Sequence, residues 1–151
     1  MTIATVALVS IGAHPASGRA RRAEQDARAV EMGLELAGDN LHVLHAGNPY
    51  EPALRAYLGM GLDELHVLEQ PEGADAVPVL GDYIRESGVQ LVLTGSQAET
   101  GEGSGMLPYL LAEQLRWPRG RACSTCATPL WIDSICATPT SSGQPSCSAS
   151  R

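Results

Sequence analysis

The run Thr5-Val6-Ala7-Leu8-Val9-Ser10-Ile11 stops at Gly12. Rich in Val, Ile and Ala and without polar alternation, it reads as a central parallel strand buried on both faces. The segment 12–22 is polar and carries Pro15 and Gly18, after which Glu24–Ala37 places Ala27, Val30, Leu34 and Ala37 at helical spacing. Gly38 stands where a C-terminal cap is expected. The unit then repeats: residues 41–46 predict a second strand, and Gly47-Asn48-Pro49 a helix start with Asn48 as N-cap and Pro49 in the first position. Ala53, Leu54, Tyr57 and Leu58 supply the buried stripe of a short helix, and Gly61 stops it. Residues 65–68 read as a third strand, 74–86 as a third helix, and 90–94 as a fourth strand with the Val and Leu content of a sheet centre. A glycine-rich turn over 95–105 leads into an amphipathic helix over about 106–115. Four alternations of strand and helix predict an α/β domain with a mainly parallel sheet and right-handed crossovers.

A chain of 151 residues is the length of one domain with one core. With aromatics at 4% and no Phe, that core must be aliphatic. A net charge of -7 argues against a nucleic-acid partner, because phosphate binding needs a clustered basic surface. The basic run Arg19, Arg21 and Arg22 reads as a solvated approach to the first helix. No stretch approaches the roughly 20 apolar residues that span a bilayer, and the N-terminus lacks the basic region and cleavage site of an export signal. The expectation is a cytoplasmic protein, not embedded in a membrane.

In open parallel sheets ligands sit beyond the carboxyl ends of the strands, which directs attention to 10–15, 46–49 and 95–105. The last of these, Thr94-Gly95-Ser96-Gln97-Ala98-Glu99-Thr100-Gly101-Glu102-Gly103-Ser104-Gly105, carries the strongest signal. Its glycines allow close backbone approach, and the first amides of the next helix with the positive end of its dipole can hold a phosphate without a lysine. A surface loop that merely caps the helix reads equally well from the pattern. The P-loop lysine is missing, so phosphoryl transfer is poorly supported. His42 and His66 fall within strands and read as satisfied sheet histidines, whereas His14 and His45 sit near strand ends where they could touch a ligand. Neither of these two has a Cys, Asp or second His at metal-ligand spacing, and no nucleophile has a partnered base. Neither a catalytic centre nor a metal site is expected.

Three stretches, in the right order, resemble electron transfer flavoprotein beta subunits. Residues 53–63, with Tyr57-Leu58-Gly59-Met60-Gly61-Leu62-Asp63, are similar to that family's helix ending in Met-Gly-Ala-Asp. Leu91-Val92-Leu93-Thr94-Gly95-Ser96-Gln97-Ala98 is similar to its strand and Gly-Lys-Gln-Ala turn, and Leu111-Ala112-Glu113-Gln114-Leu115-Arg116-Trp117-Pro118 to the helix that closes on Trp-Pro. The resemblance covers most of residues 3–118. It implies a doubly wound parallel sheet of the adenine nucleotide alpha hydrolase-like type, which universal stress proteins share. It further implies a non-catalytic electron carrier that buries AMP as a structural element and pairs, as a heterodimer, with an alpha subunit holding the FAD. Such a carrier takes electrons from primary flavin dehydrogenases and passes them to a membrane quinone reductase. By resemblance the AMP pocket uses Val9, Ser10, Asp26, Ala46, Gly47, Leu93, Gly95, Gln97, Glu102, Gly103, Ser104 and Gly105.

The pattern also departs from the family's. Gly12-Ala13-His14-Pro15 replaces its Lys-x-Val-Pro-Asp segment, Ala23-Glu24-Gln25 its Asn-Pro-Phe, and Ser104-Gly105-Met106 its Thr-Gly-Gln. The alternative from another class is a free-standing adenine-nucleotide protein of universal stress type, which would show an Asp on the first strand where Val9-Ser10 stands. After Pro118 the composition turns to Cys, Ser, Thr, Pro and Arg and periodicity stops. The expected division is therefore a nucleotide-binding domain over 1–118 lacking its last parallel strand, and a disordered or frameshifted tail over 119–151. Cys123 and Cys126 form one short chelating step, but Cys136 and Cys147 lie too far apart for a second, which argues against zinc there.

Overall fold

The computed structural model describes residues 4–95 and 106–117 and the backbone of 119–120 and 134–137. Along the chain come β1 (Thr5–Leu8), the hairpin strands β2 (Ile11–Ala13) and β3 (Ala20–Arg22), and α1 (Glu24–Ala37). A 3-10 turn (Gly38–Asn40) leads into β4 (Leu41–Gly47), then a second 3-10 turn (Pro52–Leu54) runs into α2 (Arg55–Leu58), followed by β5 (His66–Glu69) and α3 (Ala76–Ser87). β6 (Leu91–Thr94), α4 (Leu107–Leu115), β7 (Arg119–Gly120) and β8 (Ser134–Ala137) complete the order.

The main sheet runs β5-β4-β1-β6-β8-β7. Strands β5, β4, β1 and β6 are parallel. This is the expected α/β architecture. Both faces of the central strands are covered. Val6, Leu8, Leu44 and Val92 pack with Leu80 and Ile84 of α3 and Leu111 and Leu115 of α4. Ala7, Val9, Val43 and Leu93 pack on the other face with Ala27 and Val30 of α1 and with Leu54 and Tyr57. Burial on both faces explains why the sequence of β1 shows no alternation. Among the described residues no helix is long and apolar enough to cross a membrane.

Several local readings are corrected. The run 5–11 is not one strand: β1 stops at Leu8, and Ile11 opens an antiparallel hairpin paired Ile11 to Arg22, Gly12 to Arg21 and Ala13 to Ala20. His14 belongs to the turn of this hairpin, where its Nδ1 accepts from the amides of Ala16 (3.2 Å) and Ser17 (3.3 Å). The second helix does not start at Asn48-Pro49. Asn48 instead accepts from the Tyr50 amide at 2.9 Å in a local turn, and Glu51 caps Ala53 at 3.3 Å with Pro52 in the first position. Pro at the first position lacks only an N–H that a helix start leaves unpaired anyway, so Pro52 fits there as well as Pro49 would have.

The place expected for a further parallel strand beyond β6 is filled in the opposite sense. β8 pairs antiparallel with β6, Val92 opposite Cys136 and Leu93 opposite Ile135, and β7 pairs antiparallel with β8. The absence of a β-branched run after Pro118 therefore did not leave the β6 edge bare. An open edge presents unpaired N–H and C=O groups to any extended segment, and antiparallel pairing needs no helical crossover.

Candidate functional site

Because β4 and β5 lie on one side of β1 and β6 on the other, the chain reverses its winding direction between β1 and β6. The carboxyl ends of these two strands therefore splay at a switch point, the usual place for a ligand in an open α/β sheet. One carboxylate spans the gap. Asp26, third residue of α1 and 6% exposed, accepts through Oδ2 from the Ser10 amide at 2.8 Å and the Ser10 hydroxyl at 2.5 Å. Its Oδ1 accepts from the Gly95 amide at 3.1 Å. The first turn of a helix carries unpaired amides and the positive end of the dipole, which favours an anion there.

Gly95 is needed for this closure. A Cβ at that position would lie 2.4 Å from Asp26 Oδ1, 3.1 Å from Gln25 Cβ and 3.2 Å from the Asp26 amide nitrogen. The carboxylate it would meet is held by hydrogen bonds from Ser10 and from Gly95 itself.

A second buried group holds the same rim. The Tyr57 hydroxyl, on a fully buried side chain, donates to the Ser10 carbonyl at 2.6 Å and accepts from the Ala23 amide at 2.8 Å. It thus joins the end of β1 to the start of α1. On the β4 side, His45 lies buried with Nδ1 2.9 Å from the Val9 carbonyl. A carbonyl only accepts, so Nδ1 carries the proton. Gly47 adopts φ +152, and a Cβ there would sit 2.9 Å from His45 Nε2. Sequence reading placed His45 near a ligand and Tyr57 in the stripe of a helix. Their polar bonds to the β1 end were not visible, because they join residues 36 and 47 positions apart.

A family model for the electron transfer flavoprotein domain matches residues 5–128. The chain belongs to this family. Within it, the electron transfer flavoprotein subunit beta of Chromohalobacter salexigens is 57% identical over 114 residues, which are 74% of this chain and 43% of that protein. The chain spans less than half the length of this curated relative. No solved structure matches it.

For an electron transfer flavoprotein domain, the crevice brings together much of the residue set inferred by resemblance. Val9, Ser10, Asp26, Ala46, Gly47 and Gly95 converge at the carboxyl ends of β1, β4 and β6. Several of their backbone groups are already engaged: the Val9 amide donates to the Leu44 carbonyl at 3.0 Å, and the Gly47 carbonyl accepts from the Gln70 amide at 3.1 Å. Leu93 is fully buried and packs in the core against α1. Gln97, Glu102, Gly103, Ser104 and Gly105 lie outside the described residues. Thr94, beside them at the end of β6, is buried, and its hydroxyl has no hydrogen-bond partner among the described residues.

Proposed function

We propose that the chain acts as the nucleotide-binding part of an electron transfer flavoprotein beta subunit, with AMP seated in the crevice between β1, β4 and β6. The observation that carries this reading is the Asp26 carboxylate, which ties the end of β1 to the end of β6 at the switch point of the sheet. The residues fit such a ligand in kind. Ser10, Ala46, Gly47 and Gly95 put only small side chains at the strand ends, so a flat base can lie against backbone. Asp26 would repel a phosphate, so the phosphate belongs on the far side, toward 95–105, where amides and a helix dipole can receive it. In this reading Asp26 positions Ser10 and Gly95 and leaves phosphate contact to the Gln97, Glu102, Gly103, Ser104 and Gly105 segment.

The partner in this reading is an alpha subunit bearing FAD, which supplies the redox chemistry. Electrons would arrive from flavin dehydrogenases and leave to a quinone reductase, and residues 1–118 would form the nucleotide-binding unit. The beta-subunit relative and the family match support the carrier role.

Equilibrium dialysis of the purified chain against labelled AMP tests the nucleotide, comparing the parent with Ser104→Ala, Ser104→Asp and Gly103→Asp. Loss of the hydroxyl alone should weaken binding by about 0.5 to 1.5 kcal/mol, while a carboxylate beside the phosphate should abolish it. Equal binding by all four proteins would mean that the 95–105 turn is only a helix cap.

A further inference from the structure

The opposite end of the sheet holds a group of side chains that the nucleotide reading does not use. His42 is the second residue of β4, His66 the first of β5, and Glu64 lies just before β5. The strands pair in parallel with Leu44 opposite His66, so continuing the register back by two residues sets His42 opposite Glu64. One ligand atom from each of His42, Glu64 and His66 lies within 4.8 Å of the others. The rings of His42 and His66 are 5.8 Å apart, and that of Tyr83 on α3 lies 6.2 Å from His66.

His66 is not the satisfied sheet histidine that the sequence predicts. Its Nε2 is buried, yet it makes no hydrogen bond of acceptable geometry. The nearest partner is Glu64 Oε1, at 3.1 Å. Donor atoms around a tetrahedral zinc ion, with bonds of about 2.0 to 2.1 Å, stand about 3.3 Å apart. The His66 to Glu64 separation of 3.1 Å is close to that value, and the ligand atoms of all three residues lie within 4.8 Å of one another.

We propose that His42, Glu64 and His66 form a binding site for a divalent transition cation of the zinc class, at the amino end of β4 and β5. Two imidazoles and one carboxylate select such an ion over magnesium or calcium, which prefer ligand sets made of oxygen. The ion takes three protein ligands and keeps a position open to solvent on the Glu64 side. It bridges β5, an edge strand held by hydrogen bonds on one side, to the inner strand β4. Binding to the folded state alone raises stability by mass action.

The test uses the full purified chain, stripped with a chelator and titrated with cobalt(II) and then zinc(II). One equivalent of cobalt should give the visible bands of a tetrahedral or five-coordinate site without thiolate charge-transfer bands, and zinc should displace it. Zinc should raise the unfolding temperature, and magnesium and calcium should not. His66→Gln, His42→Gln and Glu64→Gln should each weaken zinc binding by at least about tenfold. Glu64→Gln alters only an exposed side chain, so it keeps the comparison valid if a histidine variant misfolds. Failure of the parent chain to take up cobalt would overturn the proposal. So would unchanged zinc affinity in Glu64→Gln, or uptake that disappears instead when Cys123 and Cys126 are replaced by serine.

Discussion

Removing the Asp26 carboxylate should cost the protein a large part of its stability. In Asp26→Ala the Ser10 and Gly95 amides, which now donate to that carboxylate at 2.8 and 3.1 Å, lose their acceptor in a part-buried setting. An orphaned buried donor costs about 1 to 3 kcal/mol, so two cost about 2 to 6 kcal/mol. Folded domains are stable by only about 5 to 15 kcal/mol, and the change is thus a sizeable share of the total. Asp26→Asn keeps the shape and one acceptor oxygen but turns an NH2 group toward one of the two donors, and should cost about 1 to 3 kcal/mol. The assay is urea unfolding followed by circular dichroism. With a slope of about 1 to 3 kcal/mol per molar, Asp26→Asn should lower the midpoint by about 1 M at unchanged slope, and Asp26→Ala by more. The refuting result is a midpoint within experimental error of the parent for both variants, which would mean that water replaces the carboxylate at no cost and that the crevice does not depend on it.

Further outcomes follow from the same geometry. Gly95→Ala should destabilise by about 1 to 3 kcal/mol, because its Cβ would meet the fixed Asp26 carboxylate at 2.4 Å, and the same urea titration measures it. Tyr57→Phe should cost about 2 to 6 kcal/mol by orphaning the Ala23 amide and the Ser10 carbonyl, whereas Leu58→Ala, at a position 38% exposed, should change stability far less. His14→Ala, which removes only the cap of an exposed turn, should shift stability by less than about 1 kcal/mol and leave AMP binding as it was.

The parallel layers were legible because burial on both faces leaves a continuous aliphatic signature, as in Thr5–Leu8 and Leu91–Thr94, and because Glu24–Ala37 has a strict helical stripe and a glycine at its end. The β2 and β3 hairpin was not, since its strands are three residues each, half-exposed or exposed except at Gly12, and Ile11 extends the apolar run of β1 without a break. Strand β8 gave no signal either, since its pairing is dictated by the open edge of β6 more than by its own composition. The rule about strand ends pointed to the loops that meet where β1 and β6 part, and Asp26 came only from likeness to a family. A carboxylate whose partners are an amide 16 residues away and another 69 residues away leaves no local trace. The same holds for His42, Glu64 and His66, which share no sequence spacing that reads as a chelating motif and are brought together by the register of two strands.

The separation of 69 positions between Asp26 and Gly95 also bears on the order of folding. Contacts of such span form only after the loop entropy of everything between them has been spent, so they arrive late. As the chain leaves the ribosome, β1, α1 and β4 can meet early, but the crevice stays unmade until β6 has emerged and docked beside β1. A chain interrupted between residues 26 and 95 would contain the carboxylate and the serine but lack the Gly95 amide that joins β6 to them. Under the proposed AMP reading, ligand retention would report on completion of the central sheet, and a pulse of labelled nucleotide during synthesis would mark the moment at which it closes.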